Sequence, residues 1–324
     1  MHHTRFGRTN VQVPAVSLGT WGHGGPNMSG DISVGWSGHD DGEASRAIVD
    51  AYRSGITHWD TADVYGSGRS EKLIGALWSE VKRSDIFLAT KVGWDKGTYS
   101  HFYHPKQMLK QVDASLRNLQ VTEIDLYYLH HCDFGEKDEF FDDANEQIHR
   151  FKEQGKIRFV GLSDWDPANI LKFIARVDPD VVQPYRNIAD DNYESSGLKK
   201  YIDKNDLGVA FFSPIKHGLL LGKYDAPTDF PEGDFRSRIE SFKSQEVIDR
   251  MKRAKSALEK RFHEEEEPVL HGVIGSLLTS NPTATVLLGQ RNPKQVKAAA
   301  AIGKALSESD AIWVKQQYAE TTRS

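Results

Sequence analysis

The sequence predicts an α/β fold of the TIM-barrel class: a closed (β/α)8 barrel with an N-terminal β-hairpin and extra loops and helices on its carboxyl-terminal side. Two observations support this prediction. Short apolar segments alternate with helix-like segments along the 324 residues, which is the repeating unit of such a barrel. Several of those segments are apolar at every position, as strands buried on both faces are. We expect a single domain over residues 1–324.

The first four predicted strands each lead into a predicted helix. The helix at 41–54 has apolar residues at helical spacing and ends before Gly55, a residue type that favours the left-handed turn after a helix. Ser70 is expected to cap the second helix, and Pro105 is expected to open the third. The four strands are 16–19, 55–59, 86–90 and 124–129, and the fourth helix covers about 142–154.

The second half of the chain repeats this pattern of strand and helix. Two segments lie outside the pattern. Residues 6–13 are expected to form a hairpin that closes the barrel floor, and residues 216–244 are expected to form a long loop that acts as a lid. A doubly wound sheet is the competing fold, but no Gly-rich turn follows the first strand, as the phosphate site of that fold requires. The predicted strands are 158–162, 181–183, 208–212 and 285–289, and predicted helices begin at Pro167, near Leu198 and at Pro293.

The composition is that of a soluble globular protein, with 38% hydrophobic and 27% charged residues. A formal net charge of −5 argues against nucleic acid or a membrane surface as a partner. The single cysteine, Cys132, excludes an intramolecular disulfide and a Cys-rich zinc site. No apolar run reaches the roughly 18–20 residues that a membrane helix needs, and the N-terminus lacks the apolar core of a signal peptide. A cytoplasmic location is therefore expected.

Proton-transferring side chains follow three successive predicted strands. Asp60 and Tyr65 come after the second strand, Lys91 ends the third and His130 ends the fourth. Because a barrel of this class carries its active site at the carboxyl ends of the strands, we expect these four side chains to meet there. Each alone has an ordinary structural explanation: a turn cap, a packing residue, a solvated cation and a core histidine. Together they form a candidate catalytic set.

The chemistry of this set suits a carbonyl group. A nearby ammonium favours phenolate, so Lys91 is expected to lower the pKa of Tyr65, while Asp60 keeps Lys91 in place and protonated. His130 is expected to polarise a substrate oxygen or to help pass the proton. Such a set can protonate a carbonyl oxygen while hydride reaches the carbon, or carry out the reverse oxidation of an alcohol.

Several motifs in the chain resemble those of the aldo-keto reductases, and the similarity covers nearly the whole length. The catalytic tetrad of that family matches Asp60 and Tyr65 in the motif at 60–65, Lys91 in a Thr-Lys pair, and His130 after Asp-Leu-Tyr-Tyr-Leu. The motifs resemble those of the bacterial branch, and they are also similar to those of potassium-channel β-subunits. Further matching motifs are at 65–71, 161–163, 212–214, 218–224 and 289–291.

This resemblance implies a nicotinamide cofactor, most often NADPH, with NADH possible. Asp164 replaces the family's Asn beside the carboxamide, and its negative charge is expected to favour the oxidised ring. Phe212 is expected to stack under the nicotinamide, and Arg291 to bind the 2′-phosphate. The residues implied to contact the cofactor are Ser163, Asp164, Gln183, Phe212, Ser213, Pro214, Gly218, Leu219, Lys223, Gly289, Gln290, Arg291 and Gln295.

The expected substrate is a small carbonyl compound or alcohol, with no metal in the site. Trp21, Trp94 and Trp165 are expected to form aromatic walls, which suit sugars, ring carbonyls and aryl aldehydes alike. His131 is expected either to contact substrate or to form a supporting hydrogen bond behind the site. The protein is expected to be a monomer or a weak homo-oligomer.

Two other functions are weighed against an oxidoreductase. A regulatory, non-catalytic nicotinamide-binding barrel is the first, because potassium-channel β-subunits resemble the enzymes of this family. A metal-dependent hydrolase using Asp60, His130, His131 and Asp133 is the second. The intact tetrad disfavours the first, and the lack of several histidines at metal-ligand spacing disfavours the second.

Overall fold

Eight parallel strands close into a barrel in the computed structural model of this chain, and the predicted fold class is confirmed. The structure describes residues 1–29 and 31–319. The strands are β1 (His3–Arg5), β2 (Gln12–Pro14), β3 (Val16–Gly19), β4 (Met28–Ser29), β5 (Ile32–Ser33), β6 (His58–Asp60), β7 (Phe87–Val92), β8 (Ile124–Leu129), β9 (Ile157–Asp164), β10 (Val181–Pro184), β11 (Gly208–Phe211) and β12 (Ala284–Gly289).

Helices follow the barrel strands and surround them. The barrel begins with β3, continues in chain order from β6 to β12, and closes where β12 pairs with β3. The helices are α1 (Asp41–Arg53), α2 (Arg69–Gly75), α3 (Pro105–Leu119), α4 (Phe141–Glu153), α5 (Pro167–Val177), α6 (Asn192–Ser195), α7 (Leu198–Asn205), α8 (Gln245–Arg261), α9 (Pro268–Leu278), α10 (Pro293–Ala300) and α11 (Glu308–Tyr318).

The connection between β11 and β12 is more structured than the sequence predicted. Its first part contains three short 3-10 turns, Lys216–Leu221, Phe235–Arg238 and Glu240–Lys243, in place of a plain loop. Two unpredicted helices, α8 and α9, follow. Turns of four to six residues have no periodic pattern to detect, and α9 is buried almost all round, so it lacks the one-sided pattern of a surface helix.

Ser70 does not cap α2, contrary to the prediction. The helix begins earlier, at Arg69, because Gly68 takes a left-handed conformation with φ +85° just before it. The Ser70 hydroxyl is buried and hydrogen bonded to the Thr20 side chain at 2.8 Å. Ser70 therefore ties α2 to the end of β3.

The N-terminal hairpin closes the floor of the barrel. β1 and β2 pair antiparallel, and Phe6 between them is fully buried. The Phe6 ring lies 5.3 Å from the ring of His58 and 5.8 Å from that of Phe87, both in barrel strands. None of the helices in the described ranges is long and apolar enough to cross a bilayer.

Replacing Phe6 with alanine is expected to destabilise the protein by about 3–5 kcal/mol, because it leaves a cavity under the barrel. The matched control is Leu109→Ala on the exposed face of α3. Unfolding in urea, followed by circular dichroism, measures both. Equal losses in the two variants would show that the hairpin contributes no more than surface packing.

Candidate active site

A fully buried ammonium lies at the centre of the site. Lys91, in β7, has no exposed surface. Its Nζ donates hydrogen bonds to Asp60 Oδ1 at 2.5 Å, to the Thr61 carbonyl oxygen at 2.8 Å and to the Tyr65 hydroxyl at 3.2 Å. An ammonium has three protons to donate, so these partners satisfy all of them. Burial alone would lower the pKa of Lys91, but Asp60 and Tyr65 outweigh that effect and raise it, so the group stays charged.

The carboxylate that pairs with Lys91 is held on both of its oxygens. Asp60, at the end of β6, uses Oδ1 for Lys91 and Oδ2 for Gln183, whose Nε2 donates at 2.8 Å across the barrel. Gln183 belongs to β10 and is itself buried. The ion pair therefore depends on strands from opposite parts of the barrel.

Tyr65 is positioned by a tight contact between two loops. Gly66, directly after it, has φ +60°, and a Cβ there would lie 2.2 Å from the Gly24 carbonyl oxygen. Only glycine fits such a conformation and approach. The two loops therefore pack backbone to backbone, and the Tyr65 hydroxyl reaches Lys91.

The protonation states differ from the expectation for Tyr65. Burial raises the pKa of Tyr65 more than the charge of Lys91 lowers it, so the net shift is upward and the phenol keeps its proton at neutral pH. His130 follows β8 directly, and its ring lies 5.9 Å from that of Tyr65. Burial, followed by the charge of Lys91 and the proximity of His131, holds the pKa of His130 well below its usual range. The site thus contains a neutral phenol, a neutral imidazole and a buried cation.

These groups face a cavity of about 650 Å³. Asp60, Tyr65 and His130 line it, whereas Lys91 lies behind them. Ten of the predicted cofactor residues also line it: Ser163, Gln183, Phe212, Ser213, Pro214, Gly218, Lys223, Gly289, Arg291 and Gln295. The fold therefore brings most of the residues predicted from the sequence to this one cavity.

Three predicted cofactor residues do not line the cavity. Leu219 is a buried residue of the turn that follows β11, and Gln290 is buried with its Nε2 donating to the Ser17 carbonyl oxygen at 3.2 Å. Asp164 accepts backbone N–H bonds from Cys132 at 2.7 Å and Asp166 at 2.7 Å. Its carboxylate is thus engaged in holding loops, which removes the reason to expect that its charge faces a nicotinamide ring.

The predicted substrate residues divide in the same way. Trp21, Trp94 and Trp165 line the cavity, but His131 does not. His131 Nε2 donates to the Gly93 carbonyl oxygen, and its Nδ1 accepts from the Asp133 N–H at 3.1 Å. Both ring nitrogens have partners, so His131 supports the loop after β8 and is not available to a ligand.

A cationic region forms one end of the cavity. Lys223, Arg236 and Arg291 line it, and burial followed by the charges of the two arginines lowers the pKa of Lys223. Trp36 lies between the arginines, 4.7 Å from the Arg236 guanidinium and 5.8 Å from that of Arg291. Arg236 is paired with Asp234, but Lys223 and Arg291 have no carboxylate partner within the described part of the chain. Two uncompensated cations at one end suit an anionic ligand.

Two loops join above this end. Ser37 donates both its N–H, at 2.9 Å, and its hydroxyl, at 2.6 Å, to Asp234 Oδ2. The Phe235 N–H donates to the Gly35 carbonyl oxygen at 2.9 Å. The loop at 22–41 and the loop after β11 therefore form a bridge over the cavity. Residue 30 of the first loop lies outside the described residues. This contact explains how both loops reach the site.

Several cavity residues were not predicted from the sequence. Most of them lie on the bridge or on the turn after β11, and Val64 directly precedes Tyr65. Only their position in the fold brings them to the cavity. The short motif Asp-Phe-Arg at 234–236 in a Gly- and Pro-rich loop is the sole signal in the sequence. The unpredicted lining residues include Ile32, Val64, His217, Phe235, Arg236 and Arg238.

A turn with an unusual backbone borders the cationic region. The turn from Ser213 to Gly222 has five positions with left-handed φ, namely Ser213 (+55°), Lys216 (+45°), His217 (+58°), Gly218 (+92°) and Gly222 (+60°). Two N–H groups of this turn, those of Lys216 and Gly218, donate to the Ser213 and Ile215 carbonyl oxygens at 2.9 Å each, so the cations beside the turn provide the attraction for an anion. Residues 1–29 and 31–319 contain no group of three or more His, Cys, Asp or Glu side chains placed to hold a metal ion.

Known proteins share this architecture. The model of the Aldo/keto reductase family matches residues 15–315. An aldo-keto reductase of Schizosaccharomyces pombe, whose name specifies NADP(+), is 34% identical over 246 residues, or 73% of this chain and 68% of that protein. The NADH-specific methylglyoxal reductase of Escherichia coli (strain K12) is 27% identical over 96% of each chain. The structure of a glycerol dehydrogenase from Gluconobacter oxydans matches with a TM-score of 0.79 at 26% identity, covering 97% of this chain and 94% of that one.

Gln183→Glu is expected to destabilise the protein by about 1–3 kcal/mol at neutral pH, because two carboxylates would share one buried site. The introduced carboxyl would have a pKa in the folded state above its unfolded value of about 4.3. The loss of unfolding free energy is therefore greatest at pH values above the folded-state pKa, and it becomes smaller as the pH falls through that pKa. Urea midpoints at about pH 8 and about pH 5 measure this difference. Gln183→Met is the control, and the stability that it loses should not change with pH. An equal loss of stability for the glutamate variant at both pH values would contradict the bond to Asp60.

Proposed function

The chain belongs to the aldo/keto reductase family, and we propose that it is an NADP(H)-dependent oxidoreductase. It reduces an aldehyde or ketone, or oxidises the corresponding alcohol or sugar, with Tyr65 as the general acid or base. One observation carries this proposal: the Tyr65 hydroxyl lies 3.2 Å from a buried, fully bonded ammonium and lines a cavity with a neutral histidine. A phenol so placed is a proton donor to an oxygen in that cavity.

The chain's own residues would divide the work of reduction. Tyr65 donates the proton to the carbonyl oxygen, and the charge of Lys91 stabilises the phenolate that remains. Asp60 keeps Lys91 charged and fixed. His130, neutral because of its burial, holds the carbonyl oxygen by a hydrogen bond before the proton moves.

A reduced nicotinamide dinucleotide, when bound, supplies the hydride for the carbonyl carbon. Ser163 and Gln183 would hold its carboxamide, and Phe212 would stack on the ring. The turn after β11 and Lys223 would hold the pyrophosphate. Arg291 has no carboxylate partner within the described residues, which supports NADP(H) over NAD(H), since the extra phosphate needs a cation.

A purely regulatory barrel is the weaker alternative. Its cavity would need no proton donor, and a fully buried ion pair is costly unless its geometry is good. Here a lysine, a carboxylate and an amide are buried together behind one phenol. Such an arrangement has a use in catalysis and none in docking.

Tyr65→Phe is expected to lower the turnover number for aldehyde reduction by at least about 100-fold, the usual contribution of a positioned general acid. Binding of NADPH, measured by protein fluorescence quenching, should be unchanged because the hydroxyl alone is lost. Tyr99→Phe, outside the cavity, is the matched control. Near-native turnover in the Tyr65 variant would show that another group donates the proton.

The pH profile of reduction follows from the raised pKa of Tyr65. A donor whose pKa exceeds its ordinary value stays protonated through neutral pH, so the single-turnover rate should be level from about pH 6 to about pH 9 and fall only above about pH 10. Stopped-flow measurement of NADPH oxidation tests this. A decline centred near neutral pH would mean that an acid with a lower pKa controls the step.

A further inference from the structure

One glutamine side chain joins two loops at the carboxyl-terminal end of the barrel. Gln111, in α3, is 9% exposed, and its Nε2 donates to Asp63 Oδ2 at 3.3 Å and to Asp95 Oδ2 at 3.0 Å. Asp63 lies in the loop after β6, and Asp95 lies in the loop after β7. An amide nitrogen has two protons to donate, so each carboxyl group accepts one of them.

The first of these carboxyl groups belongs to the segment that positions the proposed proton donor. Asp63 lies two residues before Tyr65, and its backbone N–H donates to the Lys91 carbonyl oxygen at 3.3 Å. Gln111 is the one side chain among the described residues that donates to the Asp63 side chain. The turn that leads to Tyr65 is therefore attached to α3 through this amide.

The second carboxyl group belongs to the loop that carries Trp94. Asp95 directly follows Trp94, whose ring lines the cavity 6.0 Å from that of His130. The backbone of Asp95 is also attached to α3, because Gln107 Nε2 donates to its carbonyl oxygen at 2.9 Å. α3 thus holds this loop at two points about one helical turn apart, and the second point also reaches the loop after β6.

The electrostatics of this contact explain why an amide suits the position. Two carboxylates that accept from one nitrogen repel each other unless one of them carries a proton. Burial, followed by the charges of Glu71 and Asp95, raises the pKa of Asp63 well above its usual range. A neutral Asp63 and a charged Asp95 can therefore share one amide. Glu71 does not compete for it, because its oxygens accept from Thr90 at 2.7 Å and from Asn118 at 3.0 Å.

We propose that Gln111 is a positioning residue of the active site. Through Asp63 it fixes the Tyr65 hydroxyl beside the substrate oxygen, and through Asp95 it fixes the Trp94 ring in the cavity wall. The inference rests on the proposed function, because it assigns to Gln111 an effect on the proton transfer from Tyr65. Gln111 does not line the cavity, so it acts only through the groups that it holds. A misplacement of about 1 Å can lower a rate by roughly 100-fold.

Gln111→Met removes both bonds with little change in side-chain volume. It should lower kcat for aldehyde reduction by about tenfold and raise KM for the aldehyde, with the Kd of NADPH unchanged. The aldehydes are glyceraldehyde, methylglyoxal and benzaldehyde, each with NADPH and with NADH. The matched control is Gln147→Met, since Gln147 in α4 is similarly buried, at 8% exposed, and lies outside the cavity. The control should change none of these quantities.

Variants of the two carboxyl groups separate the two effects. Asp63→Ala should lower kcat, whereas Asp95→Ala should chiefly raise KM. Asp63→Asn keeps an acceptor and should keep near-native kcat, and this contrast with alanine tests the proposal even if Gln111→Met does not fold. In the Asp63→Ala background, Gln111→Met should lower kcat no further. Losses of kcat that multiply, or equal losses in Asp63→Ala and Asp63→Asn, would overturn the proposal.

Fluorine NMR on the protein without cofactor separates this proposal from the proposed function. Labelling with fluorotyrosine gives a Tyr65 signal that Tyr65→Phe assigns, and labelling with fluorotryptophan gives a Trp94 signal that Trp94→Phe assigns. Both signals should shift or broaden in Gln111→Met and stay in place in Gln147→Met. If the wild type reduces none of the aldehydes, the proposed function is overturned, and these two signals alone decide the role of Gln111. Signals that stay in place in Gln111→Met would overturn that role.

Discussion

The buried ammonium of Lys91 is the constraint on which the site depends. A charged group without exposed surface is tolerated only when every proton has a partner, and Asp60, the Thr61 carbonyl and Tyr65 provide them. Each partner comes from the segment that leaves β6, so β6 and β7 must stay in register and the next loop must turn back. Gln183 then holds the second oxygen of Asp60 from across the barrel.

In the proposed reaction, this arrangement would make Tyr65 a proton donor at neutral pH. Burial raises the pKa of Tyr65, while the ammonium limits that rise and stabilises the ion formed after the proton leaves. A donor that is protonated at rest and stabilised as phenolate favours a transition state in which the substrate oxygen gains charge. The neutral His130 adds a hydrogen bond without adding a competing cation. In the proposed reaction, three groups of different chemistry would act on one oxygen.

The cavity has two chemically different ends that meet at one indole. Cations and a left-handed turn lie at the end near Trp36, and indoles lie beside Tyr65. The Trp21 ring lies 5.6 Å from that of Trp36 and 6.1 Å from that of Tyr65, so it belongs to both ends. Phe235, on the bridge between the loop at 22–41 and the loop after β11, contacts Trp21 at 5.0 Å and so joins the bridge to the wall beside Tyr65.

The barrel and the four central residues were predictable because each depends on local pattern. Continuous apolar runs mark the buried strands, and Asp60, Lys91 and His130 lie at their carboxyl ends. Asp164 was expected to face the cofactor but accepts backbone N–H bonds, because sequence position gives the strand end and not the direction of the side chain. His131 takes the second of its two predicted roles, a supporting hydrogen bond behind the site. Arg236 and His217 were missed because they reach the cavity only after a long connection folds back. The pKa of Tyr65 was expected to be lowered by Lys91. Burial raises it by more than one cation lowers it, and burial depends on the surrounding packing, which the sequence pattern does not give.

A double-mutant cycle on Asp60 and Lys91 tests the central claim most directly. Asp60→Asn, Lys91→Met and the double variant would be unfolded in urea at neutral pH. Each single change leaves a buried polar group without its partner and should cost about 3–5 kcal/mol, whereas the double variant should lose clearly less than the sum. Additive losses, within about 0.5 kcal/mol, would mean that the two groups are not coupled, and the account of Tyr65 built on their pairing would fail.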